Sequence, residues 1–112
     1  MTVIEIMQQL EKSKETLDKL TDELKRKGYI LAAAEREYRK SLAIKEVELR
    51  EKKYPGALVS DIAKGETSEL RYKRDIAEIE QNVCQERLRN EKANLETLRS
   101  LLAWERANYI NN

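Results

Sequence analysis

The chain has 112 residues, of which 38% are charged, 40% apolar and 5% aromatic, with one Pro and three Gly. This length leaves room for one domain only, and so few turn-forming residues exclude a fold of many short strands. Lys and Arg number 22 against 21 for Asp and Glu. That balance argues against a dedicated nucleic-acid-binding protein, which usually carries a clear basic excess.

A seven-residue repeat of apolar side chains begins after Thr2 and Glu5, whose spacing matches a capping box at a helix start. The repeat consists of Val3, Leu10, Leu17, Leu24, Leu31 and Tyr38. The intermediate position holds Ile6, Leu20 and Ala34, but also Ser13, Lys27 and Ser41. A strict repeat of this kind favours left-handed packing of helices. We predict one helix from about residue 3 to about residue 52, roughly 75 Å long.

The tripeptide Tyr-Pro-Gly at 54–56 should end the first helix, because Pro disfavours helix at the preceding residue and Gly allows a free turn. A connector of about residues 53–67 follows. We expect one helical turn within it, capped by Ser60 or Asp61 and closed by Gly65.

The second helix should run from about residue 68 to about residue 109, with Thr67 or Ser68 as its cap. Its seven-residue repeat is Leu88, Leu95, Leu102 and Tyr109. Two long helices with a short connector predict an all-α fold, a coiled-coil-like antiparallel two-helix hairpin. If residues equidistant from the connector face each other, Trp104 lies near Leu17 and Leu20. Cys84 then lies near Ala34 and Tyr38.

A hairpin buries only one stripe of each helix, so a second copy would cover the remaining apolar surface. We therefore expect a homo-oligomer, most simply a dimer that forms a four-helix bundle. The residues predicted for the core or the oligomer contact are Leu10, Leu17, Leu24, Leu31, Leu88, Leu95, Leu102 and Trp104.

The sequence lacks the usual parts of an active site. It contains no His, hence no imidazole base or His metal ligand, and its three scattered Gly cannot form a phosphate-binding loop. We predict a protein that is not an enzyme and that uses no cofactor or metal. Cys84 is the single cysteine and should be a buried small apolar side chain.

Compartment can be inferred from the same features. One thiol cannot form an internal disulfide, which fits a reducing environment, and no secretory signal follows Met1. The longest apolar run, residues 30–34, is far shorter than the roughly 20 residues of a membrane span. We expect a cytoplasmic protein that does not enter the membrane.

Basic residues are concentrated in the middle of the chain. Residues 25–75 hold fourteen basic and nine acidic side chains, a net charge of +5. The candidate partner-binding residues around the connector are Lys52, Lys53, Tyr54, Lys64, Arg71, Tyr72, Lys73 and Arg74. They are either ordinary solvated helix faces, like the pairs Glu35–Arg39 and Glu46–Arg50, or a surface for a phosphate-bearing or acidic partner.

The second half of the chain carries a resemblance to a known group. It rests on the segments at 61–65, 69–71, 74–77 and 86–90 and on the leucine-rich stretch 98–104. These resemble small helical proteins encoded by temperate phages of Gram-positive bacteria, often beside recombination and replication genes. The resemblance implies a phage origin and an accessory role in DNA metabolism, and it supplies no catalytic residues.

Three functions stay open at this point. The first is a protein-interaction factor that presents its basic connector to a protein of phage DNA replication or recombination. The second is direct binding of DNA or RNA by the same residues, with Tyr rings stacking on bases. The third is a structural or chaperone-like coiled coil.

Overall fold

The computed structural model describes residues 1–111, which form three helices and no strand. Helix α1 covers Val3–Glu51, α2 covers Gly56–Glu66 and α3 covers Ser68–Asn111. The predicted all-α helical hairpin is therefore confirmed. The chain forms two compact units: a terminal unit of Met1–Lys25 with Val83–Asn112, and a central unit of Arg26–Asn82.

In the terminal unit, α1 and α3 are antiparallel. The helix start is capped as expected, since the amide of Glu5 donates to Thr2 Oγ1 at 3.2 Å. Further along, Ser13 Oγ donates to Glu91 Oε1 at 2.7 Å, and Cys84 Sγ lies 3.7 Å from the carbonyl oxygen of Leu20. Residues further along α1 therefore face residues that come earlier on α3, as in an antiparallel helix pair.

The centre of this helix pair is the intermediate position of the repeat, not the leucine position. Ile6, Ser13 and Leu20 are buried, whereas Leu10 and Leu17 are only half-buried. Side chains at the intermediate position point at α3, and the repeated leucines flank them. Ser13 can occupy this position because its hydroxyl is hydrogen-bonded, so its burial leaves no unsatisfied group.

The leucines predicted for the core differ in how deeply they are buried. Leu95 is buried, while Leu24 and Leu31 on α1 and Leu88 and Leu102 on α3 are half-buried. Trp104 is 64% exposed, so the structure does not place it in the core of the terminal unit. The reason is its position on the helix, since the buried Leu95 and Leu98 define a face of α3 that Trp104 does not share.

The predicted register of the hairpin is wrong. Cys84 contacts Leu20, and Trp104 follows Cys84 by 20 residues on the same helix, a distance of about 30 Å. Trp104 therefore cannot lie beside Leu20. Tyr38, which was expected beside Cys84, has the guanidinium of Arg74 over its ring instead.

The error arises at the chain reversal. The main chain turns back at residues 52–55, and α2 then lies antiparallel against the end of α1. Leu49 packs with Val59 and Ala63, and Lys45 Nζ lies 2.8 Å from Glu66 Oε2. Because α2 already belongs to the returning arm of the hairpin, facing residues are roughly equidistant from Lys53, not from the middle of the connector.

The end of α1 is a Schellman motif. The amide of Tyr54 donates to the carbonyl of Leu49 at 3.2 Å, and the amide of Lys53 donates to that of Arg50 at 3.0 Å. Lys53 has a φ of 63°, whereas no described glycine has a positive φ. The expected turn at Gly56 is therefore wrong: Pro55 is the N-cap of α2, and Gly56 is its first residue.

The connector is more helical than predicted. Instead of one turn closed by Gly65, α2 has 11 residues and includes Gly65. Thr67 alone separates it from α3, and the Thr67 hydroxyl donates to the carbonyl of Ala63 at 2.7 Å. That hydroxyl therefore serves the end of α2 and does not cap α3.

Replacing Lys53 with Gly should raise the free energy of unfolding by about 0.5–1 kcal/mol, because a side chain in the left-handed region is strained and Gly is not. Urea denaturation followed by circular dichroism measures the change. Lys52→Gly is the control, and no stabilisation is expected there because Lys52 lacks a positive φ. Equal effects of the two substitutions would contradict the Schellman assignment.

Candidate interaction surface

The eight residues predicted to bind a partner all belong to the central unit. Lys52, Lys53 and Tyr54 lie in the turn after α1, and Lys64 lies on α2. Arg71, Tyr72, Lys73 and Arg74 lie in the first two turns of α3. All are exposed to solvent except Arg74, which is half-buried.

Four lysines of this group make no ion pair with another residue of the range 1–111. Within residues 1–111, no carboxylate lies within ion-pair distance of Lys52, Lys53, Lys64 or Lys73. Arg71 has only a long surface contact to Asp75, at 4.0 Å, which contributes little. We name Lys52, Lys53, Lys64 and Arg71 the cationic surface, and it can bind an anionic group without breaking a strong internal ion pair.

Arg74 differs because it is held within the central unit. Its Nη1 lies 3.2 Å from Glu35 Oε2, its Nη2 lies 2.8 Å from Asp75 Oδ1, and its guanidinium carbon lies 5.2 Å from the centre of the Tyr38 ring. The contacts with Glu35 and Tyr38 join α3 to α1. The hydrogen bonds that Arg74 donates to Asp75 and then to Glu35 raise the pKa of Arg74.

Glu35 is the carboxylate at the centre of this network. Hydrogen bonds from Arg39, and then from Arg74, lower the pKa of Glu35 despite an opposing effect of desolvation. A lowered pKa means that the ion pairs stabilise the fold above the pKa of the unfolded chain. Their contribution is lost as the pH falls through the folded-state pKa.

We therefore expect the wild-type protein to lose stability more steeply than Glu35→Gln between about pH 5 and pH 3. Urea midpoints measured across this range provide the test. Glu78→Gln is the control, because Glu78 is exposed on α3 and outside the network. If Glu35→Gln and Glu78→Gln followed the same pH curve, the network would not contribute to acid sensitivity.

A groove between α1 and α3 of the central unit was not predicted from the sequence. It has a volume of about 590 Å³. Its lining residues are Ile30, Ala33, Ala34, Arg36, Glu37, Leu70 and Lys73. The alanine run at 32–34 was the available signal, since small side chains leave room between helices, but only the register brings Lys73 to the same groove.

An apolar notch in the terminal unit was also missed. It is lined by Val3, Arg106, Tyr109 and Ile110 and has a volume of about 320 Å³. Tyr109 and Ile110 are largely exposed. Tyr109 is the last member of the seven-residue repeat of the second helix, whereas Ile110 stands outside that repeat.

Residues 1–111 contain neither a metal-binding cluster nor a membrane-spanning helix. No group of three or more His, Cys, Asp or Glu side chains there could hold a metal ion. Each helix in this range is too short or too polar to cross a lipid bilayer. No protein-family model, no curated protein and no solved structure matches the chain.

Proposed function

We propose that this chain is a non-enzymatic protein-interaction and assembly factor that binds an acidic partner protein through its cationic surface. The observation that carries the proposal is the exposure of Lys52, Lys53 and Lys64, for which residues 1–111 provide no ion-pair partner. Charged groups of this kind steer association and select complementary partners. The helices supply a scaffold and the surface supplies recognition.

The biological setting is proposed from the resemblance of the second half of the chain. We propose a cytoplasmic phage protein whose partner acts in DNA replication or recombination. An acidic surface on that partner would complement Lys52 and Lys64. The same proposal includes self-association, most simply a dimer, which would cover apolar side chains that the single chain exposes.

The test compares Lys52→Glu/Lys64→Glu with the wild type in affinity capture from phage-infected host lysate. Both positions are exposed, so the fold should be retained, and circular dichroism checks it. The control, Lys12→Glu/Lys19→Glu, changes charge equally at exposed positions of the terminal unit. The proposal predicts a partner that the control retains and the test variant loses. A partner retained equally by both variants would refute it.

Direct nucleic-acid binding is the second candidate, favoured by the exposed rings of Tyr54 and Tyr72 among the lysines. Fluorescence anisotropy with single-stranded and duplex oligonucleotides distinguishes the candidates. Binding to DNA should weaken steeply with salt in proportion to the phosphates contacted. No binding to either oligonucleotide at low salt would exclude this candidate.

A structural or chaperone-like coiled coil is the remaining alternative. It would need an exposed apolar surface for clients, which an environment-sensitive dye would detect on the folded protein. Suppression of aggregation of an unfolded test protein would support that alternative over the cationic surface.

A further inference from the structure

A polar pair lies in the seam of the terminal unit, the row of buried side chains between α1 and α3. Ser13 Oγ donates to Glu91 Oε1 at 2.7 Å, and Ser13 is 2% exposed. Glu91 is half-buried and also accepts a hydrogen bond from Asn94 Nδ2 at 3.3 Å. The buried hydroxyl therefore has an acceptor, and a neighbour on α3 helps to hold that acceptor in place.

Apolar pairs lie one repeat away on both sides of this polar pair. Leu20 and Cys84 are each seven residues from a member of the polar pair, and the Cys84 thiol lies 3.7 Å from the carbonyl oxygen of Leu20. On the other side, Ile6 and Leu98 have the same seven-residue spacing, and both are buried. At successive repeats, each helix therefore presents an apolar, a polar and an apolar side chain to the seam.

We propose that the Ser13–Glu91 pair fixes the register of α1 and α3 in the terminal unit, as a single polar layer fixes the alignment of a coiled coil. If α3 slid along α1 by one repeat, the Glu91 carboxylate would lie against Leu20 or Ile6, depending on the direction. The Ser13 hydroxyl would lose its acceptor in either case, and an unsatisfied polar group in a seam is unfavourable. Of these three alignments, only the observed one pairs polar with polar and apolar with apolar.

The polar pair should add less stability than an apolar pair at the same place. Buried polar groups give up their hydration for a hydrogen bond of modest net strength, so apolar replacements of similar volume are often neutral or stabilising. The pair is thus distinguished from its apolar neighbours by selecting one alignment. A variant with an apolar pair should fold at least as stably and populate more than one alignment.

The experiment measures the alignment through the distance between two spin labels. The labels are attached to cysteines introduced at the exposed positions Asp18 and Arg99 in a Cys84→Ala background. A slide by one repeat moves one label by about 10 Å along the other helix. This parent protein should give a single distance, whereas Ser13→Ala/Glu91→Leu, which makes the seam apolar throughout, should give a second, shifted distance.

Urea midpoints of the same proteins provide the second readout. Glu91→Leu alone should lower the midpoint, because the buried Ser13 hydroxyl loses its acceptor, whereas the double variant should equal or exceed the parent. The control, Glu86→Ala/Arg89→Ala, removes an exposed ion pair in which Arg89 Nη1 lies 2.6 Å from Glu86 Oε1. This control should keep the single label distance of the parent.

Three outcomes would overturn the proposal. A single, unshifted distance in Ser13→Ala/Glu91→Leu would mean that the apolar pairs suffice to fix the alignment. A second distance in the control would mean that the effect is not specific to the seam. A double variant less stable than Glu91→Leu alone would mean that the pair contributes stability and does not select the alignment.

Discussion

Replacing Leu20 with Ala should lower the free energy of unfolding by about 2–4 kcal/mol, because it removes a large buried side chain and leaves a cavity. Leu20 is 4% exposed, and its backbone carbonyl lies against the buried Cys84 within the terminal unit. Urea denaturation followed by far-ultraviolet circular dichroism measures the loss.

Leu17→Ala is the matched control for Leu20→Ala. It removes the same atoms one turn away, at a position that is only half-buried. The expected cost is less than half of that at Leu20, since less apolar area leaves water on folding. A larger loss at Leu17 would show that the leucine position, and not the intermediate position, is the centre of the helix pair.

Replacing Ala63 with Glu should cost about 3 kcal/mol or more, because a carboxylate would be buried without a partner. Ala63 is fully buried at 0% exposure and packs with Leu49 and Val59 where α2 meets α1. Displacement of α2 from α1 is the alternative to burying the charge. Urea denaturation reports the loss of stability, and limited proteolysis between residues 52 and 67 reports the displacement.

Ala57→Glu is the control for Ala63→Glu, since it introduces the same side chain in the same helix at an exposed position. A negative charge in the first turn of α2 is favourable to the helix dipole, so the stability should change by no more than about 0.5 kcal/mol. If Ala63→Glu were as mild as Ala57→Glu, the packing of α2 on α1 would be refuted.

The candidate interaction surface could be predicted in part from the sequence. Lys52, Lys53 and Lys64 stand out because a net positive segment surrounds the only Pro-Gly in the chain, and exposure follows from their charge. Arg74 lies in the same basic segment, but its guanidinium pairs with Glu35 and stacks over the ring of Tyr38. Those partners are 36 to 39 residues away, so no local pattern separates Arg74 from its exposed neighbours.

The sequence by itself determined that the chain is helical and that it reverses near Pro55. A seven-residue apolar repeat and the scarcity of Gly and Pro act locally, through backbone propensity and side-chain periodicity. These local signals do not depend on what the helix packs against. They also reveal the cap at Thr2, whose hydroxyl bonds an amide three residues away.

Only the tertiary structure decided the register and everything that depends on it. Two helices with seven-residue repeats can slide past each other by a repeat and still bury apolar side chains, so periodicity cannot choose among the alignments. The choice is made by contacts across the chain, such as Ser13 with Glu91 and Lys27 with Glu80. The left-handed Lys53 sets where the chain turns, and it thereby brings Glu37 and Lys73 to the two walls of one groove.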